Sequence, residues 1–259
     1  FKQKTAYEIP KRDWSSNVCS SDLPFTIFDS QNRYRENGKF SYAYGTGGSS
    51  TFLENESAVR LTVNGTLGAY VYRESKRVMA YQPGKSLLIM TTFAFSIPIA
   101  GLRQRIGFFG TNNGIYLEHD GTDLFLVLRS YVTGAVDNSR KVAQKDWNGH
   151  KFDGSTFYQR DLDTTKANIF WMDVEWLGVG DVRCGFIVDG VPVVAHTFHN
   201  DNLNPTTYMT TAVLPLRQEI ENTGATGVTS NMRVICSTVI SEGGYQGRST
   251  NNYAATTIT

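Results

Sequence analysis

The sequence predicts an all-β fold, a two-sheet antiparallel β-sandwich, from three features. Apolar and polar residues alternate with a period of two through most of the chain. Turn signals, among them Asn113-Gly114, Asp120-Gly121 and Asp189-Gly190, punctuate these segments about every 8 to 12 residues. No stretch longer than about three turns combines helical periodicity with caps. The count, about eleven to thirteen strands, suits two packed sheets.

The first 23 residues contribute none of this pattern. Residues 2–23, KQKTAYEIPKRDWSSNVCSSDL, contain no apolar run longer than two, so they fail as a secretory leader, and Glu8, Asp13 and Asp22 argue against a transit peptide. They resemble the in-frame translation of a sequencing adapter. Lys2 to Glu8 match one constant part, Asp13 to Leu23 the other, and the gap between them fits an index. Asn17 is the one departure, by a single base. The expectation is that residues 1–23 stand outside the fold, that one β-sandwich domain covers 24–240, and that 241–259 form a loop or a truncated continuation.

Along that domain, "STFLE", "AVRLTVNG" and "LGAYVYR" are short strand candidates. "SLLIMTTFAFSIP" is a long half-buried strand, with Leu87, Ile89, Phe93, Phe95 and Ile97 on one face and Thr92, Ala94 and Ser96 on the other. A meander follows: "RQRIGFFG", the turn "TNNG", "IYLEHDG", then "DLFLVLRSYV". Residues 132–168 are polar and turn-rich and read as a long excursion between strands. A second meander runs through "IFWMDVEWLG", "VRCGFIV" and "VPVVAHTF", with Asp189-Gly190 between its last two strands as a strong hairpin signal. "YMTTAVLPLRQEIEN" and "MRVICSTVIS" complete the set. Pro215 cannot donate to a ladder, which places its segment at an edge or a bulge. The hydrophobic pattern fades after Ile240.

Charge and cysteine content exclude several function classes. The 259 residues carry 25 basic and 24 acidic side chains; setting aside four basic and three acidic residues in 1–23 leaves 21 of each. A neutral chain without a Lys/Arg block has no electrostatic footprint for nucleic acid or an anionic membrane. No apolar run approaches the roughly 18 residues of a membrane-spanning helix. Outside 1–23 only Cys184 and Cys236 remain, each within an apolar run, and they read as buried free thiols rather than a disulfide framework.

Four constellations carry possible chemistry. Asp173 and Glu175 in "FWMDVEW" alternate onto one strand face, the way sandwich glycosidases present two carboxylates to a sugar. His196 and His199 fall three apart along a strand and so point to opposite faces, a poor chelating geometry. Asp181, Asp189, Asp201 and Asn202 are oxygen donors for a calcium site, although Asp and Asn at turns are expected for backbone reasons alone. Trp147, His150 and Tyr158 lie in the polar excursion. They are candidate ligand or partner contacts if their rings face solvent, and anchors pinning the excursion if they do not. No P-loop, nucleophile elbow, paired CxxC or zinc-protease helix occurs, and no cofactor is expected apart from the calcium option.

The run "VEWLGVGDVRCGFIVDGVPVVAHTF" resembles the strand, turn, strand and Asp-Gly hairpin of concanavalin-like and laminin-G-like jelly rolls. The segment around Asp173 also resembles that of jelly-roll glucanases, which carry an acid two positions before the Asp; Trp171 stands there instead, so the catalytic set is incomplete. More broadly, "IGFFGTNNGIYLEHDGT", "IFWMDVEWLGVGDVRCGFIVDG" and "YMTTAVLPLRQEIENTG" are similar to uncharacterised virion-associated proteins of marine phages and other aquatic viruses. That resemblance implies a non-enzymatic, capsid-appended or tail-associated virion protein, homo-oligomeric and partnered with other virion proteins. The alternatives are a host-adsorption module that binds surface glycan, and a jelly-roll glycoside hydrolase.

Overall fold

The computed structural model describes residues 24–155 and 161–243. The expectation for residues 1–23, most of the C-terminal tail and Tyr158 lie outside the described residues. The remainder forms fifteen strands, numbered in chain order, and two 3-10 turns at Glu54–Glu56 and Gln144–Asp146.

One sheet runs in spatial order through β13 (Val191–Phe198), β12 (Val182–Val188), β11 (Asn168–Val174), β6 (Ser86–Ala94), β15 (Ser230–Glu242), β4 (Ala58–Val63) and β3 (Gly48–Leu53). β1 (Phe25–Ser30) also pairs with β15. The second sheet runs β10 (Asp137–Ala143), β9 (Leu124–Ser130), β8 (Gly114–His119), β7 (Leu102–Phe109), β14 (Leu216–Asn222), β5 (Tyr70–Ser75) and β2 (Phe40–Tyr44). The paired strands are antiparallel.

Between the sheets lies one hydrophobic core, with Leu61, Ile89, Phe93 and Met172 from the first sheet meeting Ile106, Leu117, Leu126 and Ile220 from the second. β6 shows how the pattern produces this burial: Leu87, Ile89 and Phe93 are fully buried at alternate positions, because successive strand side chains point to opposite faces. Thr91 also faces inward, and its hydroxyl meets that of Ser237 at 3.0 Å. β15 spans thirteen residues because a register shift between Val234 and Ser237 lets it pair first with β4 and then with β1.

Both meanders form as the sequence predicts. At the β12–β13 turn Asp189 and Gly190 have φ of 50° and 81°, the left-handed pair that a two-residue hairpin matching strand twist requires. Five expectations need correction. β6 ends at Ala94, so Ile97 is 70% exposed rather than buried. Pro215 precedes a central strand: β14 lies between β7 and β5, and the Pro215 carbonyl accepts the Phe109 N–H at 3.1 Å. A proline immediately before a strand costs the ladder nothing. The excursion contains a strand, β10, on the open side of β9, and β15 continues to Glu242. Cys184 is buried, whereas Cys236 is only partly so; both are free thiols.

Candidate functional site

Residues 147–152 form a strap along β13. Gly149 N–H donates to the Ala195 carbonyl at 3.0 Å and His150 N–H to that of Val194 at 2.9 Å. Asn148 exchanges hydrogen bonds with the Thr197 backbone at 2.9 and 2.8 Å. Trp147 roots the strap in the core: it is 1% exposed, its indole N–H donates to the Val142 carbonyl at 3.2 Å, and its ring stacks on Phe186. His150 is nine-tenths buried, packed 4.2 Å from the Phe152 ring, and its Nδ1 accepts the Phe152 N–H. Both rings are thus directed into the packing of the strap rather than toward solvent.

Asp173 points to the outer face of the first sheet, in register with Arg183 on β12. Its Oδ2 accepts from Nε of Arg183 at 3.0 Å and from Nη2 as well. Burial pushes the Asp173 carboxyl up, and the guanidinium only partly offsets this. Its other oxygen, with the nearby Trp171 indole N–H, is buried without a partner among the described residues. Glu175 is exposed beyond the end of β11. A glycosidase needs one protonated and one ionised carboxyl facing the same bond; here one is clamped by arginine and the other has left the strand.

His196 and His199 are separated as expected: the first is buried, while the second is exposed and meets Asp181 Oδ2 at 2.9 Å. Asp181, His199 and Asp201 bring potential ligand atoms within 4.8 Å of one another. Asp189 does not join them, because it lies at the opposite end of β12. Calcium takes 6 to 8 oxygen ligands, and of the side chains gathered here Asp181 and Asp201 supply carboxylate oxygens while His199 supplies a nitrogen. Arg140, which donates to the His199 carbonyl at 3.0 Å and to Asn200, brings a fixed cation to the same corner.

A dense network of polar groups lies on the outer face of the second sheet. Register places Arg105 between Glu219 and Glu118, Arg103 beside Glu221, and Arg217 between Glu74 and Gly107. Opposite charges directly across a ladder attract, and they pair here. Arg103 Nη2 meets Glu221 at 2.5 Å, and Arg217 bridges Glu219 at 2.9 Å and Glu74 at 3.1 Å. Arg105 holds the other oxygen of Glu219. Lys141 reaches Glu118 at 2.7 Å and Asp120 at 3.4 Å.

Aromatic rings are interleaved with these charges. The Arg217 guanidinium lies 3.7 Å from the Tyr72 ring centre, the Lys141 ammonium 3.8 Å from that of Phe125, and Arg129 5.1 Å from that of Tyr116. Gly107 permits this layering, because a Cβ there would stand 2.7 Å from that of Tyr116. Tyr116 packs on Phe109 with centroids 4.6 Å apart. Arg105, Glu118 and Glu219 are each at least nine-tenths buried although they face outward; long side chains lying across one another exclude the water.

The face is electrostatically closed. Burial pushes the Glu219 carboxyl up, but Arg105 and Arg217 outweigh it and hold the carboxyl below its ordinary range. Against the upward push of burial, hydrogen bonds from Asp123 and Thr122, with Lys141 beside it, bring Asp120 to about 2. Arg129 is held by neutral acceptors: the Tyr116 hydroxyl at 2.9 Å, Asn138 at 3.0 Å, and the carbonyls of Thr111 and Gly110 at 3.2 and 3.4 Å. Sequence reasoning missed this face. Its signal, charged and aromatic residues alternating along β7, β8, β9 and β14, becomes legible only when the partner strands are known.

No protein-family model matches the sequence, and no curated protein does. Among solved structures, the CBM2 module of the evolved Dit of Lactobacillus casei BL23 phage J-1 aligns with a TM-score of 0.53 at 7% identity, over 86% of this chain and 98% of that one. The Bacteroides ovatus mixed linkage glucan GH16 in complex with its G4G4G3G product gives 0.52 at 11% identity, over 82% and 99%. The receptor binding domain of botulinum neurotoxin D gives 0.49 at 10% identity, over 84% of this chain and 49% of that one, so the chain spans about half of its length. The likeness is one of fold: the chain is a two-sheet jelly-roll β-sandwich of the concanavalin-like kind.

Proposed function

We propose that this protein is a non-enzymatic virion module, capsid-appended or tail-associated, that adsorbs to host-surface carbohydrate through the outer face of its second sheet. The observation that carries the reading is the pairing of that face's carboxylates with arginine and lysine around stacked aromatic rings. The rings left accessible on this layer, Tyr70, 36% exposed, and the half-buried Tyr72 and Phe125, offer surface to sugar C–H groups, while the buried Tyr116 and Phe109 fix the layer beneath them. Its carboxylates are engaged by arginine and lysine, which disfavours a general-acid role and hence hydrolysis.

The phage origin of the CBM2 module with the same fold supports the virion assignment, and the glucan product bound to the GH16 protein shows that such a sandwich accommodates carbohydrate. No described helix is long and apolar enough to cross a membrane. The test is incubation of the full chain with insoluble cell-wall polysaccharides. Co-sedimentation without release of reducing ends is the expected result, and release of reducing ends overturns the non-enzymatic reading.

A further inference from the structure

At one end of this outer face, the 110–113 turn and the 210–215 segment enclose an open cleft of about 410 Å³, with Glu74 and Val78 completing its rim. We propose that this cleft is the subsite for the terminal sugar of the bound glycan, and that it selects a neutral sugar. The inference rests on the carbohydrate-binding reading above and adds to it the site and the ligand class.

Hydrogen bonds join the walls of the cleft without any ligand. Asn113, 4% exposed, stitches its two walls: Oδ1 accepts the N–H groups of Tyr131 and Thr210, each at 3.1 Å, and Nδ2 donates to the Thr210 hydroxyl at 2.6 Å. The Met79 N–H donates to the Leu214 carbonyl at 2.8 Å, and the Gly110 N–H to that of Asn113 at 2.9 Å. Preorganisation of this kind lowers the ordering cost of binding.

Its lining suits a sugar with one hydroxyl edge and one C–H face. Val78 and Val213, 49% and 42% exposed, form an aliphatic surface over the buried Leu214 and Pro215. Opposite them, Thr111 and Asn112 are exposed, and the Asn112 amide has no hydrogen-bond partner among the described residues. The hydroxyls of Thr210 and Thr211 already accept, from Asn113 and from the Val213 N–H, which leaves their own protons to donate. The lining residues include no cation, and Glu74 is neutralised by Arg217. An anionic group entering here would meet the Glu74 carboxylate and no lining cation, the adjoining Arg129 being committed to the Gly110 and Thr111 carbonyls and the Tyr116 hydroxyl, whereas a neutral hydroxylated ring brings no charge to compensate.

Gly110 allows a clean test. A Cβ placed there would meet only Pro215 Cδ at 3.8 Å and Leu214 Cδ2 at 4.0 Å, and its backbone is not in the left-handed region. Gly110→Leu therefore fills the cleft without backbone strain, and Asn112→Ala removes one amide from an exposed turn. The full chain is titrated with methyl glycosides of glucose, galactose, mannose and N-acetylglucosamine, with glucuronate and inorganic sulfate as anionic probes, and amide chemical shifts are followed.

The expected result is that at least one neutral glycoside shifts the amides of Gly110, Asn112 and Thr211, that Gly110→Leu weakens it at least tenfold, and that Asn112→Ala weakens it several-fold. Stronger binding of glucuronate or sulfate than of any neutral glycoside overturns the ligand class. Oligosaccharide binding that shifts Tyr72 and Arg217 and is unchanged by Gly110→Leu overturns the cleft while leaving the module reading intact. The absence of binding by any glycoside or oligosaccharide overturns both.

Discussion

The backbone N–H of Asn148 donates to Nδ1 of His196 across 3.2 Å, so the strap that carries Trp147 is fastened to β13 by an imidazole that must be unprotonated at that nitrogen. Burial, with Arg140 and His199 nearby, pushes the His196 pKa down to about 4. The ordinary value, about 6.5, applies in the unfolded chain. A depressed histidine pKa means that its contribution is present above about 6.5 and is lost as the pH falls toward 4. Hydrogen exchange should therefore show the amides of Asn148 and Gly149 losing protection over that window before those of Ile106 and Leu117 do. His196→Asn should weaken the pH dependence, and simultaneous loss across all four amides in the parent chain would contradict local release.

Trp147→Ala removes the largest fully buried side chain among the described residues. Large aromatic truncations in a core cost about 3–5 kcal/mol, a substantial part of the stability of an ordinary domain. Denaturant unfolding should show a loss of that size, with Trp147→Phe losing less. A loss below about 1 kcal/mol would mean that the strap does not depend on its anchor.

Arg105 and Glu219 test whether the outer face of the second sheet is a coupled network. Both are buried, and Glu219 also takes Arg217. Removing one partner leaves an uncompensated charge and costs roughly 3–5 kcal/mol, while replacing both by apolar groups of similar volume is often near neutral. Glu219→Leu alone should be strongly destabilising, and Arg105→Met with Glu219→Leu less so, because Arg217 retains Glu74. Additive losses in a double-mutant cycle would show that the pair is not coupled.

Gly190 carries φ of 81° with open space around its Cβ position. Gly190→Ala therefore reports backbone strain alone, and thermal unfolding should register a loss of about 1 kcal/mol. An unchanged melting temperature would mean that the β12–β13 turn relaxes to another form.

Legibility followed the range of the interactions. The strands of both meanders and the Asp189-Gly190 turn were readable because periodicity and turn chemistry are local. β10 was not, because "DNSRKVA" is an edge strand with little buried on either side. Trp147 was ambiguous for a different reason: an aromatic in a polar, irregular stretch has no period from which to infer its direction. The ion-pair face was hidden because Arg105 and Glu219 are 114 residues apart; the charges are in plain view, but their register is not.

The most direct test of the central claim is a glycan array probed with the full chain and with Tyr72→Ala, which removes the ring beneath Arg217 at the edge of the face. The account predicts that the parent chain binds a defined set of glycans with and without added calcium, and that Tyr72→Ala, folded by circular dichroism, weakens those signals at least tenfold. A blank array for the parent chain, or signals unchanged in Tyr72→Ala, would contradict it.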